Sequence, residues 1–309
     1  MIRIRRVYSS ALPADRHSIE QAQAVFRLHF TDHLDVIDSI PDLLDQPFRY
    51  GYHTVLLVSE NARGAVTGAS LVLHFPEVNS SFLDFIAVPP GARGGGSGSA
   101  LFEATREQLQ QLGSRGMYLE TLSDDPREVP NPSTLRQNRQ RLRFYEQYGL
   151  RPIIGTDYEK PVGDLPAGPL LFDGLGRKVP LGSTEARAAV RCILQRKHRD
   201  SMNAADIERI VRSFRNDPVR FRPPQYVRSA EQPHEVTSHR LEPAFALVSA
   251  KGHEVHLVHQ RGYVERPARI GAILEGLSPL GLFREVAPRR FGEGAIREVH
   301  DGNFVNYLK

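Results

Sequence analysis

The feature that most constrains the fold is a glycine-rich stretch between an apolar segment and an amphipathic one. Four glycines fall within the five residues from Gly94 to Gly98. The apolar segment SFLDFIAVPP precedes them and ends in two prolines, which cannot continue a strand ladder. The following segment SGSALFEATREQLQQLG has apolar residues at helical spacing and a glycine where a C-terminal cap belongs. The pattern predicts a strand, a tight turn and a helix in succession.

Such a turn predicts an anion site, because glycine lets a phosphate approach backbone N–H groups at a helix N-terminus. A P-loop is excluded, since no lysine follows the glycines. Gly94, Gly96 and Ser99 approach a dinucleotide fingerprint, but the prolines before them and the missing acidic ribose ligand disfavour it. Arg93, Gly96 and Gly98 match a third pattern, R/Q-x-x-G-x-G/A, in full.

Alternating and apolar segments around this turn predict a mixed α/β domain. The predicted strands are Ile2–Tyr8, 53–60, 64–75, 81–90, 116–122 and 150–161, and the predicted helices are Ser18–Phe30, 97–113 and 134–149. Residues 164–182 are rich in glycine and proline and predict a linker. A helical pair follows at Thr184–Arg199 and Ala204–Arg215, with Ser183 or Thr184 as its N-cap. We expect three parts: 1–163, a linker and helical extension over 164–226, and 227–309.

Composition narrows the class of protein. The net charge of +4 comes without a Lys/Arg run of the kind that binds nucleic acid, so no nucleic-acid partner is expected. The single cysteine, Cys192, excludes an internal disulfide and fits a reducing compartment. No apolar run reaches the length of a membrane span, and the N-terminus is unlike a signal peptide. We therefore expect a cytoplasmic enzyme without a membrane partner.

A second motif lies in the predicted helix of NRQRLRFYEQYGLRPI, where Asn138, Tyr145 and Gly149 are spaced as N-x₆-Y-x-x-x-G. Together with the glycine turn, it resembles the GNAT superfamily of acetyl-CoA-dependent N-acetyltransferases over roughly residues 1–162. Leu150 replaces the phenylalanine that usually follows the glycine of this motif. The resemblance implies a mixed, splayed central sheet flanked by helices, followed here by the helical extension and a small incomplete α/β segment.

The resemblance also implies roles for individual residues. The pyrophosphate of acetyl-CoA would bind to backbone amides of Arg93, Gly94, Gly95, Gly96, Ser97, Gly98 and Ser99. The pantetheine arm would enter a gap between two splayed parallel strands and pair with backbone at Ile86, Ala87 and Val88. Asn138 would hydrogen-bond the arm, and Tyr145 would stand at the thioester sulfur as the acid for the departing thiolate. The competing interpretation of Tyr145 is a core tyrosine with a wet hydroxyl.

The general base is less constrained by the sequence. An amine must lose a proton to attack a thioester, and Asp84 and Glu120 lie on the two strands expected to splay. Either carboxylate could act directly or through water. Each is equally well explained as a solvated or salt-bridged strand residue, and members of the superfamily often lack a clear protein base.

The acceptor side is suggested only by charge. The segment FTDHLDVIDSIPDLLDQ carries Asp32, Asp35, Asp38, Asp42 and Asp45 without a lysine or arginine. An acidic rim would attract a cationic, polyamine-like amine. The simpler interpretation, which we favour, is a solvated face near helix N-termini, where aspartate is stabilised anyway.

The C-terminal part contains His253, His256 and His259, which cannot converge on one metal ion along a strand. From this region onward the sequence resembles the beginning of the histone deacetylase and acetylpolyamine amidohydrolase superfamily. The matching positions are Glu265, Pro267, Arg269, His300, Asp301, Phe304 and Leu308. That family's zinc ligands and paired histidines lie further downstream. We expect no metal site here, and interpret the segment as the start of a longer fusion or as a packing remnant.

The sequence thus predicts an acetyl-CoA-dependent N-acetyltransferase that transfers acetyl directly to a small primary amine in a ternary complex. The alternative is a catalytically silent acyl-CoA-binding module that regulates or partners a deacetylase. Near the C-terminus the sequence predicts a strand over 253–260 and helices over 266–277 and 295–309. Apolar residues recur at helical spacing on these helices, at Ile270, Ile273, Leu274 and Leu277 and again at Phe304, Val305 and Leu308. We expect those faces to pack on the transferase domain or to form a homodimer.

Overall fold

The structure is a computed structural model that describes residues 3–89, 96–160, 168–198, 202–227, 245–249, 268–277, 283–288 and 294–307. The chain divides into two compact units, Met1–Pro233 and His234–Lys309. The first unit contains every element that positions the candidate site.

A seven-stranded mixed sheet forms the centre of the first unit, in the order β1-β2-β3-β4-β5-β7-β6. Its strands are β1 Arg3–Val7, β2 His53–Glu60, β3 Val66–Phe75, β4 Ser80–Ala87, β5 Met117–Glu120, β6 Arg151–Pro152 and β7 Leu170–Asp173. Only β4 and β5 pair in parallel, and the other neighbours are antiparallel. The expected mixed sheet is confirmed.

Helices cover both faces of this sheet. They are α1 Pro13–Arg27, α2 Leu34–Asp38, α3 Ile40–Asp45, α4 Pro47–Tyr50, α5 Ser97–Gln111, α6 Pro132–Gln147, α7 Ser183–Lys197 and α8 Ala204–Ser213. The helices α5 and α6 pack on one face, against alternate side chains such as Leu83 and Leu119. On the other face α1 to α3 pack against residues such as Leu71 and Phe85, and α7 and α8 pack against Phe82 and Tyr118. Alternation along each strand therefore decides which helices it meets.

Several predicted boundaries are corrected. Residues 164–182 are not simply a linker, because Leu170–Asp173 is a buried strand that pairs with β5 on one side and β6 on the other. The extension therefore belongs to the same compact unit as residues 1–163. The strand predicted over 150–161 shortens to Arg151–Pro152. Helix α1 begins at Pro13, five residues before the predicted start, because proline suits the first helical turn.

The helical pair of the extension is confirmed as α7 and α8, but its cap is not. Gly182 is the N-cap of α7, and the Asp217 carboxylate accepts the Ser183 N–H at 3.0 Å in place of a capping hydroxyl. Asn203 caps α8 through the Asp206 N–H at 2.9 Å. An acceptor from a distant loop thus replaces the predicted local one.

In the second unit the described elements are short. They are β8 Phe245–Leu247, α9 Ala268–Leu277, β9 Phe283–Glu285, α10 Gly294–Arg297 and α11 Gly302–Tyr307, with β8 and β9 paired in parallel. The single helix predicted over 295–309 is wrong, because the chain leaves helical geometry between α10 and α11. Ile273 and Phe304 are exposed. Packing of these apolar faces on another surface or on a second copy stays a prediction. The strand predicted over 253–260 lies outside the described residues.

Candidate active site

The candidate site lies where β4 and β5 separate. Their parallel pairing ends at Leu83 and Leu119. At that point β4 carries a bulge, because Leu83 pairs with Val72 and Phe85 with Leu71, which leaves Asp84 as the extra residue. Beyond its pair with β4, the strand β5 continues only with β7, through Glu120 and Leu170. The expected splay is therefore present, and a bulge that bends one strand is its physical origin.

The two carboxylates considered as bases lie side by side at this splay. Asp84 and Glu120 each follow the last residue through which β4 and β5 pair with each other. Both approach the ammonium of Lys197, the last residue of α7. Its Nζ lies 3.4 Å from Asp84 Oδ1 and 3.5 Å from Glu120 Oε2. The same Nζ stands 4.9 Å from the ring centre of Phe82, in cation–π range. The sequence analysis selected Asp84 and Glu120 as candidate bases but did not select Lys197.

Two further side chains contact Glu120. The Tyr158 hydroxyl donates to Glu120 Oε1 at 2.5 Å, and His198 Nε2 lies 3.5 Å from the same oxygen. Burial raises the pKa of Glu120, but the charge of Lys197 and the bonds from His198 and Tyr158 outweigh it and leave this pKa well below its usual range. Burial likewise lowers the pKa of Lys197, while Asp84 and Glu120 outweigh it and leave the pKa raised. The cluster is a charged carboxylate–ammonium site.

Tyr145 lies on the opposite face of the sheet. It is 6% exposed and belongs to the hydrophobic cluster that contains Leu83 and Leu119, the last paired residues before the splay. Its ring packs against Phe102 and Phe144, with centroid distances of 5.6 and 5.4 Å. Burial raises the pKa of Tyr145 to about 12, so the hydroxyl keeps its proton at neutral pH. Tyr145 therefore packs on one face of the sheet, and the two carboxylates lie with Lys197 on the other.

The predicted cofactor residues fall into two groups. Arg93, Gly94 and Gly95 lie outside the described residues. Gly96 has φ +75° and is the N-cap of α5, with Ser97, Gly98 and Ser99 in the first turn of that helix. Among the residues that the structure describes, no side chain caps α5, and its first turn contains no acidic residue. Free N–H groups and a helix dipole without a local counter-charge fit an anion.

Open space around these glycines supports the same conclusion. A Cβ built on Gly96 or on Gly98 meets no atom of the described chain within 4 Å. Packing against the described residues therefore does not explain glycine at Gly98, where the backbone is helical. A ligand that must approach the backbone closely would explain it.

The strand edge predicted for the pantetheine arm is partly open. Ile86 and Ala87 pair with Ser70 and Ala69 of β3. On the side of β5, no strand among the described residues pairs with them. The Val88 carbonyl, in contrast, lies 2.8 Å from His29 Nε2, so one acceptor of the predicted segment is already engaged.

Asn138 is buried on α6, and its Nδ2 donates to the Ser123 carbonyl at 2.8 Å. One of the two amide hydrogens of Asn138 therefore bonds to the loop that follows β5. The same loop is held by the bidentate pair of Arg222 with Asp124, at 2.8 and 2.9 Å. Glu146 of α6 in turn accepts the Tyr226 N–H at 2.7 Å. The end of the extension thus ties α6 to the loop that follows the splay.

The acidic segment makes ordinary surface contacts. Its five aspartates are all exposed. Asp38 pairs with Arg27 at 2.6 Å, and Asp45 accepts the Ser10 N–H at 2.8 Å. Within the described part of the chain, no cluster of His, Cys, Asp and Glu side chains could hold a metal ion. No described helix combines the length and apolarity needed to cross a membrane.

Sequence reasoning missed Lys197, although its position in α7 carries a signal. Lys197 follows Ile193 by four residues and Val190 by seven, and both are fully buried on α7. It therefore continues the apolar face of the helix. A lysine at such a position needs buried partners, and the two carboxylates of the splay are those partners.

No protein-family model matches the chain, and no curated protein matches it significantly. Solved structures do resemble it. They include a GNAT-family protein from Desulfovibrio desulfuricans, with a TM-score of 0.43 and 19% identity over 57% of this chain and 100% of that one. An aminoglycoside 6′-N-acetyltransferase complexed with coenzyme A has a TM-score of 0.43 and 13% identity over 58% and 99%. The catalytic domain of the Tetrahymena GCN5 histone acetyltransferase in complex with coenzyme A has 0.41 and 11% over 58% and 96%. Because these TM-scores and identities are low, the description of the fold is based on the strand order of this chain and not on the resemblance.

Proposed function

We propose that the chain is an acetyl-CoA-dependent N-acetyltransferase that transfers acetyl directly to a small primary amine, cationic or polyamine-like. The splay carries this proposal, because it has an undissociated tyrosine on one face and two carboxylates on the other. An amine and a thioester that meet in such a gap would have a proton acceptor and a proton donor on opposite sides.

The residues that would hold acetyl-CoA fit an anionic, extended ligand. The first turn of α5, Gly96 to Ser99, would bind the pyrophosphate through uncapped N–H groups. The β5-facing edge of Ile86 and Ala87 would pair with the pantetheine amides. Asn138 retains an amide hydrogen and its oxygen for the arm beyond its bond to Ser123. Bound acetyl-CoA would supply an activated acetyl thioester.

The side chains then divide the proton transfers. Tyr145 keeps its proton at neutral pH and would donate it to the departing sulfur. Glu120 is a weak proton acceptor, because Lys197, His198 and Tyr158 hold its pKa down. It would therefore orient the acceptor as a fixed charge. The amine proton would leave through Asp84 or through a water molecule that it holds.

The alternative, a silent acyl-CoA-binding module, is favoured by one observation. Lys197 already contacts both carboxylates that an acceptor amine would use. Calorimetry with coenzyme A and a turnover assay with a panel of primary amines separate the two functions. Binding with acetyl transfer to an amine supports the enzyme. Binding without transfer to any amine supports the silent module, and absence of binding refutes both.

A further inference from the structure

We propose that Lys197 is an internal occupant of the acceptor position, and that an acceptor amine enters by exchanging with its ammonium. Only the identification of this site as the acceptor position rests on the proposed function. The ammonium site itself stands on geometry, and its test needs no cofactor.

The first argument is the shape of the site. Two carboxylates and one aromatic face surround Nζ of Lys197, with distances of 3.4 and 3.5 Å to the oxygens and 4.9 Å to the Phe82 ring centre. Carboxylates and an aromatic face are the groups that recognise an alkylammonium ion. The side chain of Lys197 is 17% exposed and that of Asp84 is 7% exposed, so the site is largely screened from water.

The second argument is how loosely Lys197 is held. Charge-assisted N–H···O⁻ bonds are usually about 2.7–2.9 Å long. Both Lys197 contacts are longer, at 3.4 and 3.5 Å. The short hydrogen bond to Glu120 comes from another residue, because the Tyr158 hydroxyl donates to it at 2.5 Å. The third contact of Nζ, to His198 Nε2, is also long, at 3.5 Å. Attraction between charges therefore dominates in holding the ammonium, and a second ammonium could replace it without loss of a short hydrogen bond.

The third argument is the position of Lys197 in its helix. It is the last residue of α7, and His198 is the C-cap. The helix is anchored upstream by Ala186, Val190 and Ile193, which are fully buried. The lysine side chain can therefore leave the splay while the packed part of α7 stays in place. Helix ends open more easily than helix centres, so this exchange is local.

Charge balance also favours exchange. Two carboxylates face one ammonium, and removal of Lys197 without replacement would leave two like charges together, of which Asp84 is largely screened at 7% exposure and Glu120 is partly exposed at 32%. An incoming cationic amine restores the balance, whereas a neutral ligand does not. The site thus selects a primary alkylammonium.

The test empties the site and offers it a replacement. Lys197→Ala removes three methylenes and the ammonium, which together correspond to propylammonium. We expect this variant to melt at a lower temperature than the wild type, and propylammonium to raise its melting temperature by about 2–6 °C at saturation. Sodium and tetramethylammonium at equal ionic strength should have no such effect. Lys178→Ala, which removes an exposed lysine of the same unit, is the matched control and should not respond.

A second variant identifies the binding groups. Lys197→Ala combined with Asp84→Asn should lose the response to propylammonium, because one of the two carboxylates is gone. A folded Lys197→Ala variant that propylammonium does not stabilise more than sodium overturns the proposal. So does an equal response of Lys178→Ala.

Should Lys197→Ala fail to fold, the wild type still decides. An amine-acylating reagent should label Lys197 more slowly than Lys178. Propylamine also consumes the reagent, so the readout is the ratio of Lys197 to Lys178 labelling within one sample, and propylammonium should raise this ratio. An unchanged ratio overturns the exchange. Neither experiment contains coenzyme A. A chain that fails to bind coenzyme A but passes them would lose the proposed function and keep the ammonium site.

Discussion

The two halves of the candidate site are built in different ways. The proposed cofactor half is local: Gly96 to Ser99 are consecutive, and their backbone N–H groups would bind the pyrophosphate. The acceptor half is non-local, because Asp84, Glu120, Tyr158 and Lys197 come from two strands, a loop and a helix of the extension. A local site can be recognised in sequence as a motif. A non-local site depends on which strands pair and which helix covers them.

The largest expected effect belongs to Tyr145, because its proposed role is at the thioester sulfur, where cofactor and acceptor would meet. Tyr145→Phe keeps the ring packed against Phe102 and Phe144 and removes only the hydroxyl. If this hydroxyl protonates the leaving thiolate, turnover should fall by roughly 10²–10⁴-fold with little change in coenzyme A affinity. Steady-state kinetics and calorimetry on the same preparation measure both quantities.

Tyr118→Phe is the matched control for this variant. Its hydroxyl is also buried but has no hydrogen-bond partner among the described residues, so its removal should change neither turnover nor affinity. Equal turnover in Tyr145→Phe and the wild type would remove Tyr145 from the mechanism.

The next effect isolates the cofactor half. Gly96 and Gly64 have nearly the same left-handed backbone, with φ of +75° and +78°, and a Cβ on either meets no atom within 4 Å. Gly96→Ala and Gly64→Ala should therefore cost similar folding free energy, about 1–2 kcal/mol. Only Gly96→Ala should also weaken coenzyme A binding, by about tenfold or more, since its Cβ would stand where phosphate approaches. Urea unfolding and calorimetry measure the two effects. Equal coenzyme A affinity in both variants would contradict the pyrophosphate assignment.

Gly98→Leu sharpens this prediction, because Gly98 is helical and open. Replacement of glycine in a helix is favourable by up to about 1 kcal/mol. The variant should therefore be as stable as the wild type, or more so, while its coenzyme A affinity falls. A parallel loss of stability would instead indicate a packing role for this position.

A smaller effect, on stability, isolates the acceptor half. The pKa of Glu120 is lowered from 4.5 by folding, so its contribution is present above that value and is lost as the pH falls. The pKa of Lys197 is raised from 10.5, so its contribution is complete below that value and is lost as the pH rises through the folded pKa. The loss of stability in Lys197→Met should therefore be largest between roughly pH 5 and pH 10. Urea unfolding across the pH range measures it, and a difference that does not depend on pH would show that the lysine acts only by packing.

The same contrast explains what the sequence predicted. The apolar segment 53–60, bounded by a polar turn, located β2 at its observed bounds, and helical spacing located α5, α7 and α8 to within a few residues. The strand β7 was missed because its four residues are flanked by the glycine and proline of 164–182, although pairing on both sides buries it. Asp84 and Glu120 were chosen for their strands. The helical spacing of Lys197 marked it as a lysine on an apolar face, but its two partners could be identified only once the extension was known to cover the splay. Tertiary packing, which local propensity does not encode, decided these cases.

The smallest expected effect concerns the acidic segment. Asp32 and Asp35 are exposed, and two of the neighbouring aspartates already bind Arg27 and Ser10. Exposed charges are strongly screened at physiological salt, where the Debye length is about 8 Å. Asp32→Asn combined with Asp35→Asn should therefore change the KM for a cationic amine less than about twofold at such salt. Asp84→Asn, which alters a carboxylate with 7% exposure beside Lys197, should change it far more. Steady-state kinetics at low and at physiological salt measure both variants. A large rise of KM in the double variant that persists at physiological salt would place the acidic segment in the acceptor half and contradict its assignment as a solvated face.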